Sequence, residues 1–455
     1  MPPPRSRWSR LTPAIAIGAL VLTGEPARWL SGTDDTSIRT GTLIAYEPLS
    51  SELCLMPAAE VRAAMREEFK YARMQAGQAG RVPGGGATPV RTIKDPYPSF
   101  AGVSVDPVRN EVVFTDESLF QVLVYDRLEN TPKGVAASKP KRVIVGEKTN
   151  IEFQSSAWVD PKTGEIYAVN NDTRDTTVVF GAGANGNSAP VRSIATPHGS
   201  FGIAAAEAHD EVMMTIQHDS AIVAYKKNAG EGDSPIRMLQ GLATKLADPH
   251  GIAYDPQEDV IYVANFGATH DVSAKEGGGR DRRGRNRTNW PLGRDQAVPG
   301  SGTINKPSIS VHRRLATGNE PPVRVIEGPA AQLNWPTGLA FDPGSRELYV
   351  ANDMGPSIVV FDAAAKGDVA PKRVIKGSRT GLANPTAVSL DLKNNELWVA
   401  NFGGHSGMAF DLKASGNTAP KRIIRNAPPN TPSLMIGNPG AVGYDTKREN
   451  ILVPN

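Results

Sequence analysis

Short apolar runs of four to six residues, rich in Val, Ile and Tyr, recur along the chain between turns built from Asp-Pro, Gly-Asn and Lys-Asn pairs. Runs of that length and make-up predict β-strands, because helices need longer stretches at a 3.6-residue period. The runs fall into a repeat. A Pro-x-Arg triplet, with an apolar residue two positions further on, starts at Pro89, Pro140, Pro190, Pro235, Pro322, Pro371 and Pro420, at intervals of 51, 50, 45, 87, 49 and 49 residues. Only the fourth interval departs, by one long insertion. Between triplets come a small-residue stretch (Pro249-His-Gly-Ile-Ala-Tyr-Asp255), a strand ending in Asn (Ile261-Tyr-Val-Ala-Asn265, Leu348-Tyr-Val-Ala-Asn352, Leu397-Trp-Val-Ala-Asn401) and a third apolar run (Ala221-Ile-Val-Ala-Tyr225, Ser357-Ile-Val-Val-Phe361).

Four antiparallel strands per period, repeated radially, make the blade of a β-propeller. The proline that opens the fourth strand has no N–H to give, so that strand belongs on the outer edge. Seven triplets predict an all-β, seven-bladed propeller of four-stranded antiparallel blades. Its last blade is expected to be closed by N- and C-terminal strands, with residues 440–444 and 451–453 joined by Thr42-Leu-Ile-Ala-Tyr46 and Pro89-Val-Arg-Thr-Ile93. Two insertions interrupt the scheme. Residues 57–76 carry Val61, Met65, Phe69 and Ala72 at helical spacing behind Pro57 and predict an amphipathic helix. Residues 271–306, between the second and third strands of blade four, form an Arg/Gly-rich loop with Arg280, Arg282, Arg283, Arg285, Arg287 and Arg294.

The stretch Gly251-Ile-Ala-Tyr-Asp-Pro256 with Ile261-Tyr-Val-Ala-Asn265, and its counterparts at 338–343 and 348–352, resemble the NHL and YVTN-type propeller repeats of bacterial exported proteins. The likeness spans about residues 89–455 and implies the propeller fold. It implies no single activity, since such propellers include binding scaffolds, lyases and lactonases, and none of their catalytic motifs carries over residue by residue.

Composition narrows the function classes. The formal charge of +3 is accounted for by Arg5, Arg7 and Arg10, so the remainder is neutral and has no bulk attraction for nucleic acid. The lone cysteine, Cys54, excludes an intrachain disulfide framework and a cysteine-ligated metal or cluster. Those arginines precede an apolar run from Leu11 to Leu22 and the breaker Gly24-Glu25-Pro26, the parts of a secretory signal peptide over residues 1–27. The run is too short to span a bilayer; an uncleaved signal anchor is the other reading. The expectation is an exported protein, periplasmic or extracellular, with residues 28–455 as a single propeller domain and no transmembrane span after signal removal.

In a propeller, the loop before each innermost strand and the loop after each second strand share one face, here called the top. His198 and His250 lie before innermost strands, while His218, His270 and His405 follow second strands. Neutral imidazoles ligate first-row metals, so His198, His218, His250 and His270 are candidate ligands for a divalent metal, zinc or calcium. Asp219 and Asp271, beside two of them, are candidates to orient the rings or act as bases. Trp335 and His405 are further candidates to contact a ligand at the channel mouth. The recurrent Asn (Asn170, Asn265, Asn352, Asn401) reads as structural, and the repeat Arg and Asp, such as Arg324 with Asp342, as glue between blades. Two functions follow: an exported scaffold binding a protein, peptide or glycan on its top face, or a metal-dependent lyase or lactone hydrolase built on the histidines.

Overall fold

The computed structural model describes residues 95–171, 174–271, 300–431 and 433, and the backbone of two short strands, Gly443–Asp445 and Asn450–Leu452. Of Ala268–Asp271 and Gly300–Ile304 it describes the backbone alone. Six four-stranded antiparallel sheets follow one another along the chain, with strands in sequence order from inside to outside. The innermost strands are Phe100–Asp106, Gln154–Val159, Ser200–Ala206, Pro249–Asp255, Pro336–Asp342 and Pro385–Asp391. The outermost are Arg142–Ile144, Arg192–Ala195, Arg237–Gln240, Arg324–Glu327, Arg373–Ile375 and Arg422–Arg425. Proline stands two residues ahead of each, and the residue between them donates to the third strand, as Lys141 does to the Val124 carbonyl at 2.7 Å.

Each strand is apolar on both faces because each face meets another blade. The buried apolar side chains fall into six clusters, one per seam between neighbouring blades. One joins Phe100, Phe114 and Tyr125 of blade one to Trp398, Ala400 and Ile424 of blade six. Six blades with six seams leave no gap for a seventh, which corrects the count of seven. Pro89-Val-Arg91 made the tally one too high, since it precedes blade one without a described blade of its own. Gly443–Asp445 and Asn450–Leu452 pair only with each other. The terminal clasp through Thr42–Tyr46 and Pro89–Ile93, the helix over 57–76 and the signal segment lie outside the described residues.

At the seam between blades one and six, the Arg127 guanidinium lies 3.3 Å from Asp391 and 2.9 Å from Glu396, both buried. The Thr131 and Ser138 N–H groups donate to the Ile423 and Arg425 carbonyls, each at 2.8 Å. Four other seams share a different outer staple. The outermost strand of one blade forms a parallel bridge to a turn glycine of the next (Gly186, Gly318, Gly367, Gly416), and the following Asn or Asp side chain accepts from a backbone N–H in the preceding blade's short helical turn or its equivalent. Thus the Gly-Asn turns of the repeat also cover the neighbour's open edge.

The repeat Arg and Asp do not pair as expected. Arg324 meets Glu258 of its own blade at 2.9 Å, and Arg142, Arg192, Arg237, Arg373 and Arg422 likewise bind a Glu at or beside the start of their own second strand. The repeat Asp caps its own turn, as Asp342 does for the Gly344 N–H at 2.8 Å. A few receive a cation from the next blade at another position, such as Lys227 on Asp160 at 3.0 Å. The Arg/Gly-rich insertion does leave blade four between its second and third strands, through the hairpin Ala268–Asp271 with Gly300–Ile304; its interior lies outside the described residues.

Replacing Arg127 by Met leaves Asp391 a buried anion without its cation, while Glu396 keeps Arg422, and is expected to cost about 3–5 kcal/mol, read from the denaturant midpoint. A loss under about 1 kcal/mol, the range of an exposed pair, would show that the seam does not depend on this cation. Deleting residues 440–455 is expected to leave unfolding cooperative, because the blade-one to blade-six seam is complete without them; a broadened transition would reinstate the clasp.

Candidate functional site

On the top face, the residue after each second strand holds one fixed place. The backbone N–H groups of Glu117, Asn171, Gln217, Phe266, Asp353 and Phe402 each donate to a carbonyl eighteen residues earlier, just before the innermost strand of the same blade, at 2.7–3.4 Å. The Asn one residue before explains why this recurs. Asn170, Asn265, Asn352 and Asn401 are buried, and each accepts from the N–H of the preceding loop at 2.7–3.1 Å. The structural reading of that Asn therefore holds, and its effect is to hang the following side chain at the mouth of the ring.

Those six side chains differ sharply by sector. Asn171 donates to Gln217 at 3.4 Å, and Gln217 in turn bonds the Asp248 carboxyl. Asn384 donates to Asp353 at 3.0 Å. Burial pushes the Asp248 carboxyl up to about 7, and Asp353 is raised by the same cause. Burial raises Glu117 to about 8, helped by the negative charges of Asp116 and of Asp353 two blades away. Burial also takes Asp116 up to about 6 in spite of the Ser99 N–H it accepts. Glu117 and Asp353 thus act on one another across the mouth, and Asp248 stands at the blade-four rim. Among the described residues no Lys or Arg forms an ion pair with Glu117, Asp248 or Asp353.

Beside them runs a ladder of rings. Phe201 meets His250 at 4.1 Å between centroids, His250 stacks on Phe266 at 4.5 Å, and Phe266 meets Trp335 at 4.3 Å. His250 is buried and Phe201 and Phe266 are half-buried, while Trp335 is 40% exposed. Its backbone sits at φ 54°, in the slot before the innermost strand that other blades fill with Gly199, Asp248 and Asn384 at positive φ. The left-handed region costs an ordinary side chain about 1–2 kcal/mol. Two blades further round, Phe120 repeats the arrangement before the third strand of blade one, at φ 54° and 43% exposed. Leu119 beside it and Met354 beside Asp353 are exposed too.

The sequence candidates separate accordingly. His198 and His218 come together, with ring centroids 5.1 Å apart, and His198 Nδ1 lies 3.2 Å from Asp175, a partner the sequence reading missed. His250 is wedged between two aromatic rings inside its strand; its Nδ1 lies 2.9 Å from the Asp248 carbonyl, and burial lowers its pKa to about 4, so it is neutral. The equivalent position of other blades, five residues before the repeat Asp, lies between innermost strands, where Ser155 and Thr386 bond the neighbouring blade's carbonyls at 2.9 and 2.8 Å. Asp219 is buried at the blade-three rim, its carbonyl accepting from Gln240 at 2.6 Å. His405 ties down the segment ahead of blade one, through the Pro98 carbonyl at 2.7 Å and Asp95 at 3.1 Å. The side chains of His270 and Asp271 lie outside the described residues. Among those described, no three His, Cys, Asp or Glu side chains form a set that could hold a metal ion. Glu117 and Asp353 had a usable signal, the position after the recurrent Asn, which is Asp116 in blade one, while Asp248 shares the pre-strand slot of Trp335.

No protein-family model matches the sequence, and no curated protein matches it. Among solved structures, Kuenenia stuttgartiensis hydrazine synthase is similar over 72% of this chain and 99% of its own, at 12% identity with a TM-score of 0.45.

Asp248 and Glu117 have folded-state pKa values above their unfolded ones, so folding takes up protons. Their contribution is full below about pH 4 and is lost as pH rises through about 7 and 8. Asp248→Asn and Glu117→Gln are therefore expected to raise the melting temperature at about pH 8.5 and to lose that gain near pH 4.5. A difference from wild type that does not vary with pH would show these carboxyls to be ordinary.

Proposed function

We propose that this chain is an exported binding propeller of the NHL/YVTN type that takes a protein, peptide or glycan partner on its top face. The observation that carries the reading is Trp335, a large ring held in a costly left-handed slot and left 40% exposed where neighbouring blades place Gly, Asp or Asn. Strain of this kind that is not repaid by burial points to use. Phe120, also exposed and left-handed, supports the same reading two blades further round the mouth. Export rests on the basic-apolar leader over residues 1–27, and among the described residues no helix is long and apolar enough to cross a membrane. A reporter fused behind residues 1–30 that stays in the cytoplasm of a bacterial host would remove the export part.

A second reading, acid–base catalysis as in a lyase or lactone hydrolase, is favoured by the carboxylate–imidazole pair of Asp175 and His198 beside His218. It requires that a lactone panel be turned over by wild type and not by His198→Asn.

The binding reading is tested with Trp335→Gly on arrays of peptides and glycans. Relief of the left-handed strain, about 1 kcal/mol, offsets a lost ring contact of about 1 kcal/mol. The melting temperature is thus expected to move little while binding drops at least about tenfold. A large fall in stability with binding intact would make Trp335 a packing residue.

A further inference from the structure

The chemistry of the mouth narrows the partner further, on the premise that the top face is a binding surface. Three carboxyls stand at rim positions fixed by the N–H···O bonds after the second strands, Glu117 on blade one, Asp248 on blade four and Asp353 on blade five, without a Lys or Arg partner among the described residues. Ionising such desolvated carboxyls is costly, and a cation brought by a ligand removes the cost. Apolar surface flanks them on two sides, at Trp335 with Met354 and at Phe120 with Leu119. Those two ledges belong to blades five and one, with blade six between them. A small amine reaches one ledge or the other. An extended chain alternating cationic and apolar side chains follows the rim from one ledge to the other, placing charge on Asp353 and Glu117 beside the ledges and on Asp248 one blade beyond Trp335. A glycan would use the rings and bring no cation to the carboxyls.

We propose that the top face binds an extended basic peptide segment of a partner protein, seating Arg or Lys side chains on Glu117, Asp248 and Asp353 and apolar side chains on the Trp335 and Phe120 ledges. The attraction is local, because the chain beyond Arg10 is formally neutral and offers a basic peptide no attraction in bulk. Arg is the better fit, since its flat guanidinium both bonds carboxylate and lies over an aromatic face.

The test uses the full chain and fluorescein-labelled peptides of about twelve residues that alternate Arg with Leu or Tyr, beside the same peptides with citrulline for Arg. The expected result is saturable binding of the Arg peptide that weakens with added salt, at least about tenfold tighter than the citrulline peptide. The variant E117Q/D353N is expected to lose about tenfold, Trp335→Ala a similar factor, and the exposed control Asp362→Asn nothing. Citrulline and Arg peptides binding alike would overturn the inference. So would competition by free arginine amide as strong as that by peptide, which would mark a small-amine site. Binding seen only after residues 272–299 are removed would assign the surface to the chain's own arginines and overturn a partner. A glycan or neutral peptide that binds wild type and not Trp335→Ala sinks the basic-peptide inference and leaves the binding reading standing. If no probe binds and the Trp335 variants differ in stability alone, both fall.

Discussion

Everything in this molecule depends on blades meeting face to face. A four-stranded sheet that is apolar on both faces has no stable existence in water, and here each face is buried only by the next blade. The innermost strands come so close that a Cβ on Gly338 would fall 2.6 Å from the Ala387 Cα, and one on Gly251 would meet the Thr337 carbonyl. This explains the glycine of the Gly-Ile-Ala-Tyr-Asp motif: it is the spacing of the ring, written as a missing side chain. Blade number follows from the same contact, since the array stops growing when the first blade reaches the last.

The mouth inherits its geometry from that packing. Six equivalent N–H···O bonds hold six side chains on a fixed circle, and the buried Asn behind four of them keeps the loops from drifting. Acidic, amide and aromatic side chains then occupy different arcs without disturbing the frame. Ion pairs in the body of the blades behave in the opposite way. Glu347 is held well below the usual carboxylate range, chiefly by the Arg373 guanidinium, with Lys413 and Lys372 beside it. The frame matches its charges, and the mouth leaves its own unmatched.

Much of the fold was legible because a repeat prints its strand pattern many times over. Strand order, the outer place of the Pro-x-Arg strand and the structural role of the Asn all came from periodicity. The blade count did not, because one triplet lies ahead of the first blade, and only the contact of Phe114 with Gly407 and the clasp of Arg127 show where the ring ends. The site was half legible. Histidines drew attention as chemically distinctive letters, yet His250 and His405 serve packing and tethering. The mouth carboxyls sit at positions that any alignment of the repeats exposes, but Asp and Glu are common in loops, and what sets these apart is burial. That His198 leans on Asp175 depends on a loop of the preceding blade, which no spacing within one repeat encodes.

The left-handed slots before the innermost and third strands have a consequence for how such a protein changes over generations. Gly199, Ser220, Asp248, Trp335, Asn384 and His405 occupy the same kind of turn with quite different side chains, so the turn tolerates exchange. Each slot stands at the common rim, and the contacts of its side chain reach no further than an adjacent blade. A new specificity therefore needs only a few single-codon steps at the rim, taken one blade at a time, while the interlocked interior stays under constant selection. The ring works as a dial whose settings are replaceable and whose bearing is not.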